Sequence, residues 1–352
     1  MRGKWGQSLQ LAFVYVGTVV GAGFATGKEI VEFFTRFGFY GLLGIVLSGY
    51  LFMVFGTKLM ELAIETKSKS YQELNQVLFG KLFGSGINIV MMMILFGVNA
   101  VMLSGAGAVF EEQLGYPKML GVFITIFLAI LILLIGSKGL FLVNTFVVPM
   151  MVIFSFVMLY LAIQLPQFTE MALFVPVAED GWKAFLTPFS YAAFNLSLAQ
   201  AVLVPVAYEI DDRDVIRWGG RIGGLLLGLI LMSSHLTLSL LENVTLYEIP
   251  MAVMMKQLAS GLYWIFILII YGEIFTSVIG NTFGLERQLS ELVSWSSSMK
   301  ITVIFGATYV VSLVDYSTLL SALYPIFGYV GLLFLFLLWL RPLEGTNQNV
   351  KK

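Results

Sequence analysis

The sequence predicts an all-α integral membrane protein of about ten transmembrane helices, built as a 5+5 inverted repeat with discontinuous first and sixth helices. Three observations predict it. Apolar residues make up 59% of the 352 residues and charged residues only 12%, about half the share usual in a soluble chain. Mean hydropathy is +0.91. So few charges do not cover so much apolar surface in water, and lipid must be the solvent. Uncharged runs of bilayer length, about 20 residues each, recur along the chain. Lysine and arginine fall unevenly on the two sides of those runs.

The runs occupy Trp5–Gly27, Phe37–Thr57, Leu82–Phe110, Met119–Ser137, Gly139–Thr169, Ala184–Tyr208 and Ile222–Leu241. An eighth starts at Gln257 and continues past Glu273 to Leu285, followed by Ile301–Val314 and Tyr316–Leu340. The ninth is the shortest. The first run resembles a signal peptide in position, but it is long, interrupted by glycine and lacks an A-x-A cleavage site, so it reads as a retained helix. The polar stretches Lys58–Lys81 and Gln164–Lys183 suit short amphipathic or irregular segments, and Glu209–Arg221 suits a solvated loop.

With an N-terminus in the cytoplasm, one side receives Arg2, Lys4, Lys58, Lys67, Lys69, Lys81, Lys138, Arg213, Arg217, Arg221, Arg287, Lys300, Arg341, Lys351 and Lys352. The other receives Lys28, Arg36, Lys118, Lys183 and Lys256. Cytoplasmic loops carry the excess of positive charge, so both termini are expected in the cytoplasm of a multi-pass cell-membrane protein. A missed helix would invert every later assignment, so the asymmetry also supports the count.

Composition excludes several function classes. There is no cysteine and a single histidine, which removes disulfide scaffolds, thiolate sites and histidine-rich metal centres. A net charge of −1 argues against a nucleic-acid partner. No cluster of catalytic carboxylates marks a membrane enzyme, and no repeated pore loop marks a channel. The implied partners are a small-molecule substrate and the lipid bilayer; no pattern specifies an oligomer.

The whole chain, 1–352, reads as one membrane domain, with repeats at about 8–163 and 185–341 and a polar cytoplasmic tail at 342–352. Five helices per repeat make the halves inverted. The first helix of each half carries a breaker: Gly17-Thr-Val-Val-Gly21-Ala-Gly23 in one, Asn195-Leu-Ser197-Leu-Ala-Gln200 with Pro205 in the other. The third helix of each half is long, Leu82–Glu112 and roughly Ala252–Leu289, as strongly tilted spans require. Broken helices in matching positions point to a transporter's substrate site, because their ends offer unpaired N–H and C=O groups for an anion and a cation. Close helix packing is the other use such glycines have.

The stretch Tyr15-Val-Gly-Thr-Val-Val-Gly-Ala-Gly-Phe24 resembles the first-helix signature of the amino acid–polyamine–organocation superfamily, which has the LeuT-type fold. Phe194-Asn-Leu-Ser-Leu198 resembles the unwound sixth-helix segment of its sodium symporters, and Thr276-Ser277 resembles their cation-binding pair. The chain as a whole is most similar to the YkvI-type bacterial membrane proteins of that superfamily. The resemblance implies alternating-access symport, usually of amino acids, with sodium or a proton as coupling ion and no other cofactor.

It further implies a sodium site built from the carbonyls of Gly17, Val20 and position 273 with the hydroxyls of Thr276 and Ser277. A second sodium site, which takes an asparagine just after the glycine break, is not expected because Phe24 stands there. Glu273 lies mid-helix, three and four residues before Thr276 and Ser277, and an acid in a membrane span is a functional residue by default. It suits a cation ligand or a proton carrier, or else a glutamate facing a water-filled vestibule or paired with a lysine. Some proton-coupled relatives place a lysine in the fifth helix; the run from Gly139 has none, which favours sodium. For the substrate, N–H groups at Gly21 and Gly23 suit a carboxylate, with Ser197 and Asn195 opposite. Phe24, Phe194 and Tyr191 suit an apolar wall, and Asn99 a polar contact or an interhelical hydrogen bond. By resemblance Lys28 and Asp315 form an outer gate, although Lys28 stands one position from its counterpart. His235 reads as a structural hydrogen-bonding residue. A cation-coupled transporter of an amino acid or similar zwitterion is the first reading; a ligand-sensing receptor on the same fold, like germinant-receptor subunits, is the second.

Overall fold

In the computed structural model, residues 2–175, 181–247, 249–313 and 331–342 are described. Among them every regular element is helical. The first apolar run gives α1 (Arg2–Val19) and the short α2 (Ala22–Ala25), followed by α3 (Lys28–Phe33). The second gives α4 (Phe39–Leu51) and α5 (Thr57–Glu65), joined by a wide helical turn at Phe52–Gly56, then the amphipathic α6 (Tyr71–Phe79). Next come α7 (Lys81–Ala108), α8 (Lys118–Leu133), α9 (Ser137–Ile163) and the single turn and a half of α10 (Phe168–Ala172). The second half holds α11 (Gly181–Ile210), α12 (Arg213–Leu238), α13 (Pro250–Ala259), α14 (Tyr263–Leu292), α15 (Ser297–Ser312) and α16 (Gly331–Leu340). Each of the ten apolar runs thus contains helix. Among the described residues, six stretches are both long and apolar enough to cross a membrane by length and composition.

Burial sorts these helices into centre and periphery. In the most apolar stretch of α11, 83% of residues are buried, against 28% in α9. α11 is therefore enclosed by protein, while α9 turns Leu142, Phe146, Ile153 and Tyr160 outward to lipid. α1 is central too: Leu11, Val14, Tyr15, Val16 and Val20 are fully buried, and the helix packs on α12, α9, α11 and α14. Small residues let the backbones close in. A Cβ on Gly49 of α4 would lie 3.1 Å from the Cα of Gly228 on α12, the close approach that glycine permits in membrane interfaces. Within the wide turn at Phe52–Gly56, buried Tyr15 donates its hydroxyl to Phe52 O at 2.9 Å.

Three expectations change. The sixth helix is not discontinuous: α11 runs without a break from Gly181 to Ile210, through Pro188 and Pro205. Asn195 and Ser197, taken as breakers, bond back to their own helix, at Tyr191 O (3.0 Å) and Phe194 O (2.8 Å). Such back-bonding satisfies a polar side chain without opening the ladder. The long span expected from Ala252 is divided by a tight turn at Ser260–Leu262, so α13 and α14 are separate helices. The loop expected over Glu209–Arg221 is only a two-residue turn. Asp211 takes a left-handed conformation (φ 45°), and Asp212 caps α12 by accepting the N–H groups of Asp214 and Val215 at 3.0 and 3.2 Å.

Candidate functional site

The first helix is broken where the glycines lie. The ladder of α1 ends with Val20 N–H on Val16 O, and it resumes with Ala25 N–H on Gly21 O, each at 2.9 Å. In an unbroken helix the carbonyls of Gly17 and Val20 would accept from Gly21 and Phe24. Here they accept from α14 instead: Thr276 Oγ1 reaches Gly17 O at 3.4 Å, and Ser277 Oγ reaches Val20 O at 2.8 Å. Thr276 Oγ1 also lies 2.9 Å from Glu273 O. Five oxygens expected for one site, three carbonyls and two hydroxyls, therefore gather at the break. All five residues are buried or nearly so. The fifth helix adds a group that the sequence reading passed over. Asn144 of α9 presses its Oδ1 into the space a Cβ would need at Gly17, and that oxygen has no hydrogen-bond partner. A polar residue in an otherwise apolar span was the available signal.

Glu273 divides its two ends between two environments. Its carbonyl belongs to the oxygen cluster. Its carboxylate, on a residue only 3% exposed, lines a small, partly open cavity and leaves Oε2 unpartnered. Phe24 and Ala25 of α2 contribute one wall, and Ser155 of α9 with Ser234 and Thr237 of α12 contribute hydroxyls. The remaining wall is apolar, with Met151, Met158 and Phe266 prominent. Of the substrate residues inferred from sequence, Phe24 alone faces this cavity.

The others are distributed elsewhere. Gly21 packs against Met102 and Ser277, beside the oxygen cluster. Gly23 carries the carboxylate of Glu29 where its own Cβ would be, and Glu29 is itself buried. Tyr191 is fully buried in an aromatic cluster with Phe33, Phe34 and Phe52. Phe194 belongs to a separate apolar cluster with Met91, Leu95 and Ile304. Asn99 is not at the break: its Nδ2 donates to Thr282 Oγ1 at 3.1 Å and Thr308 Oγ1 at 3.4 Å, tying α7 to α14 and α15. Its partner on α14, Thr282, lies about one and a half turns beyond the Thr276–Ser277 pair. Lys28 donates to the carbonyls of Tyr247 and Thr245 at 3.0 and 3.4 Å; Asp315 lies outside the described residues. His235 is fully buried, with Nδ1 3.2 Å from Thr35 Oγ1.

Charged residues assigned to one side by sequence also meet one another. Lys4 pairs with Asp212 at 2.7 Å, Lys300 with Glu286 at 2.7 Å, Arg217 with Glu61 and Arg287 with Glu209. Lys58 donates to Trp339 O at 3.0 Å. On the opposite side Arg36 pairs with Glu32 at 3.1 Å. Asp212 is held below the ordinary carboxylate range by the Lys4 ammonium and by the Val215 N–H.

Residues 7–318 match the family described as "Spore germination protein". The chain is 48% identical over 330 residues to the membrane protein YkvI of Bacillus subtilis (strain 168), covering 94% of each chain. Among solved structures, a Na+-coupled sialic acid symporter aligns with a TM-score of 0.64 at 12% identity, over 94% of this chain and 78% of the symporter. A manganese transporter of Eremococcus coleocola aligns with a TM-score of 0.63 at 15% identity, over 94% of this chain and 75% of the transporter. The fold is therefore the LeuT type shared by these secondary transporters.

Proposed function

From its membership of the spore germination protein family, to which this chain belongs, we propose a cation-coupled secondary transporter of an amino acid or similar small zwitterion. One observation carries this reading: carbonyls freed by the break after α1 meet the Thr276 and Ser277 hydroxyls of α14 and the Glu273 carbonyl. A hydroxyl that donates to a carbonyl brings two oxygens together, and a cation entering between them takes both as ligands while the hydroxyl proton turns away. Break and cation are thus coupled, because binding pulls α2 and α14 into one arrangement. Sodium is the preferred ion, since neutral oxygens suffice for a monovalent cation and α9 from Gly139 to Ile163 carries no lysine or arginine in its place. Glu273 supplies a carboxylate beside that cluster, suited to adding charge to the cation shell or to carrying a proton. The lysine and arginine asymmetry supports a multi-pass cell-membrane location with both termini in the cytoplasm.

Family membership favours a second reading, in which the same fold senses a ligand without moving it. Reconstitution separates the two. Purified protein in liposomes that accumulates a labelled amino acid down a sodium gradient is a transporter; ligand-dependent stabilisation without accumulation is the sensor.

A further inference from the structure

We propose that Asn144 of α9 is a sixth oxygen ligand of the cation site at the first-helix break, so that the ion joins α1, α9 and α14. The assignment rests on the sodium reading of that site and adds a ligand from a third helix.

The position of the side chain carries the inference. Asn144 is 1% exposed, and its Oδ1 and Cγ fill the space a Cβ would need at Gly17, with Cγ 2.9 Å from that point. Gly17 is also the residue whose carbonyl accepts from Thr276. A second register leads to the same place. Phe154 stacks on Phe266 with ring centroids 5.5 Å apart, and Val147 lies 3.1 Å from where a Cβ of Gly272 would be. Rising along α9 therefore means falling along α14, and the two helices run antiparallel. One turn back from Val147 is Asn144, and one turn on from Gly272 is Thr276. Residues three or four apart share a helix face, so Asn144 meets α14 at the level of Thr276 while it touches α1 at Gly17.

The amide is oriented for the task. Its Nδ2 donates to Leu140 O, one turn back on its own helix, at 2.8 Å. Of the two amide ends only the nitrogen donates, so this bond leaves Oδ1 as the end that meets α1. That oxygen is buried and has no hydrogen-bond partner, a condition native interiors seldom leave unanswered. A cation answers it without a further donor. The resulting shell is three carbonyls, two hydroxyls and one amide oxygen, all neutral, a set suited to a hard monovalent ion. Glycine at position 17 gains a second reason: any Cβ there would displace the amide. Held from three helices, the ion fixes α9 against the break as well as α14.

Thermal unfolding of the full-length protein in detergent tests this, with sodium chloride replacing N-methyl-D-glucamine chloride at constant ionic strength. Sodium is expected to raise the wild-type Tm with the logarithm of its concentration. Asn144→Ala should raise the sodium concentration needed for a given shift by about tenfold or more, the scale of one polar contact to a charge. Asn144→Asp keeps an oxygen in place but loses the donor to Leu140 O. It should therefore lower the sodium-free Tm as Asn144→Ala does, yet need no more sodium than the wild type. A purely structural amide predicts otherwise: both variants lower the sodium-free Tm, and both keep the wild-type sodium dependence. That outcome overturns the proposal, and it leaves the cation site standing if Thr276→Ala with Ser277→Ala still abolishes the response. Equal loss of sodium response in Asn144→Ala and Asn144→Asp also overturns it, since the donor and not the oxygen would then matter. Absence of any sodium response in the wild type overturns it together with the sodium reading.

Discussion

Ser277 Oγ donates to the carbonyl oxygen of Val20 at 2.8 Å, joining the middle of α14 to the point where α1 stops. The two residues are 257 positions apart in sequence. Val20 O is available because the helix breaks there, and Ser277 reaches it because α14 packs against both α1 and α2. The hydrogen bond is thus a readout of the break: a continuous first helix would spend that carbonyl on Phe24 N–H.

The first expectation follows directly. Thr276→Ala with Ser277→Ala removes both hydroxyls and leaves Gly17 O and Val20 O without their α14 partners. Sodium should then no longer raise the unfolding temperature, whereas the wild-type protein should gain stability with the logarithm of sodium concentration. The variant should still fold, since each lost hydrogen bond costs about 0.5–1.5 kcal/mol. A sodium-dependent Tm shift surviving in the double variant removes these hydroxyls from the cation site.

Glu273→Gln separates ion ligation from proton carriage. Glutamine imitates a permanently protonated acid in shape and charge. If Glu273 carries the proton, exchange of substrate across liposome membranes survives while concentrative uptake fails. If its charge assists a sodium ion, uptake is recovered at high sodium concentration. Wild-type behaviour under both conditions assigns the residue a structural role.

Sequence made the membrane class legible because lipid imposes a simple rule: uncharged runs of bilayer length are helices. The first-helix break was legible for a related reason: Gly17, Gly21 and Gly23 interrupt an otherwise apolar run, and a break or close helix packing is what such glycines allow. The sixth-helix break was misread. Polar Asn195 and Ser197 look like breakers in one dimension, yet their side chains return to Tyr191 O and Phe194 O. Whether a polar residue breaks its helix depends on which carbonyls lie within reach, which sequence does not state. The cavity was illegible for a further reason. Ser155, Ser234 and Glu273 come from three helices, and no local pattern says that their faces meet.

Asp212 performs two tasks at one end of the molecule, capping α12 and pairing with Lys4. Asp212→Ala should lower Tm through loss of the cap. Asp212→Asn keeps a capping oxygen and loses the ion pair. Because the folded carboxylate is held below its ordinary range by Lys4 and the Val215 N–H, its contribution is fully present above the unfolded pKa, about 3.9. The contribution is lost as pH falls through the lower folded value. Between pH 5 and 8 the wild type and Asp212→Asn should therefore differ by a constant amount in Tm, and the difference should shrink only below about pH 4. A difference that changes steadily across pH 5–8 assigns the titration to another group.

Gly23→Val probes the outer side of the break. Its Cβ would lie 2.7 Å from Cγ and 2.8 Å from Cδ of Glu29, within the space the carboxyl group now fills. Glu29 sits on the flexible end of its own side chain and can withdraw, so folding should survive at a cost in the range of a strained core substitution, about 1–3 kcal/mol. Displacing Glu29 would disturb α2, the helical segment that follows the break. Ligand binding should therefore fall more than stability does. Ser197→Ala is the contrast: its hydroxyl serves only Phe194 O one turn back, and its loss should leave both ligand affinity and Tm nearly unchanged. Binding by the purified variants, with thermal unfolding in parallel, checks both. Normal binding by Gly23→Val would reduce the first-helix break to a packing device. A binding defect in Ser197→Ala would instead return α11 to the substrate site from which its hydrogen bonds now withdraw it.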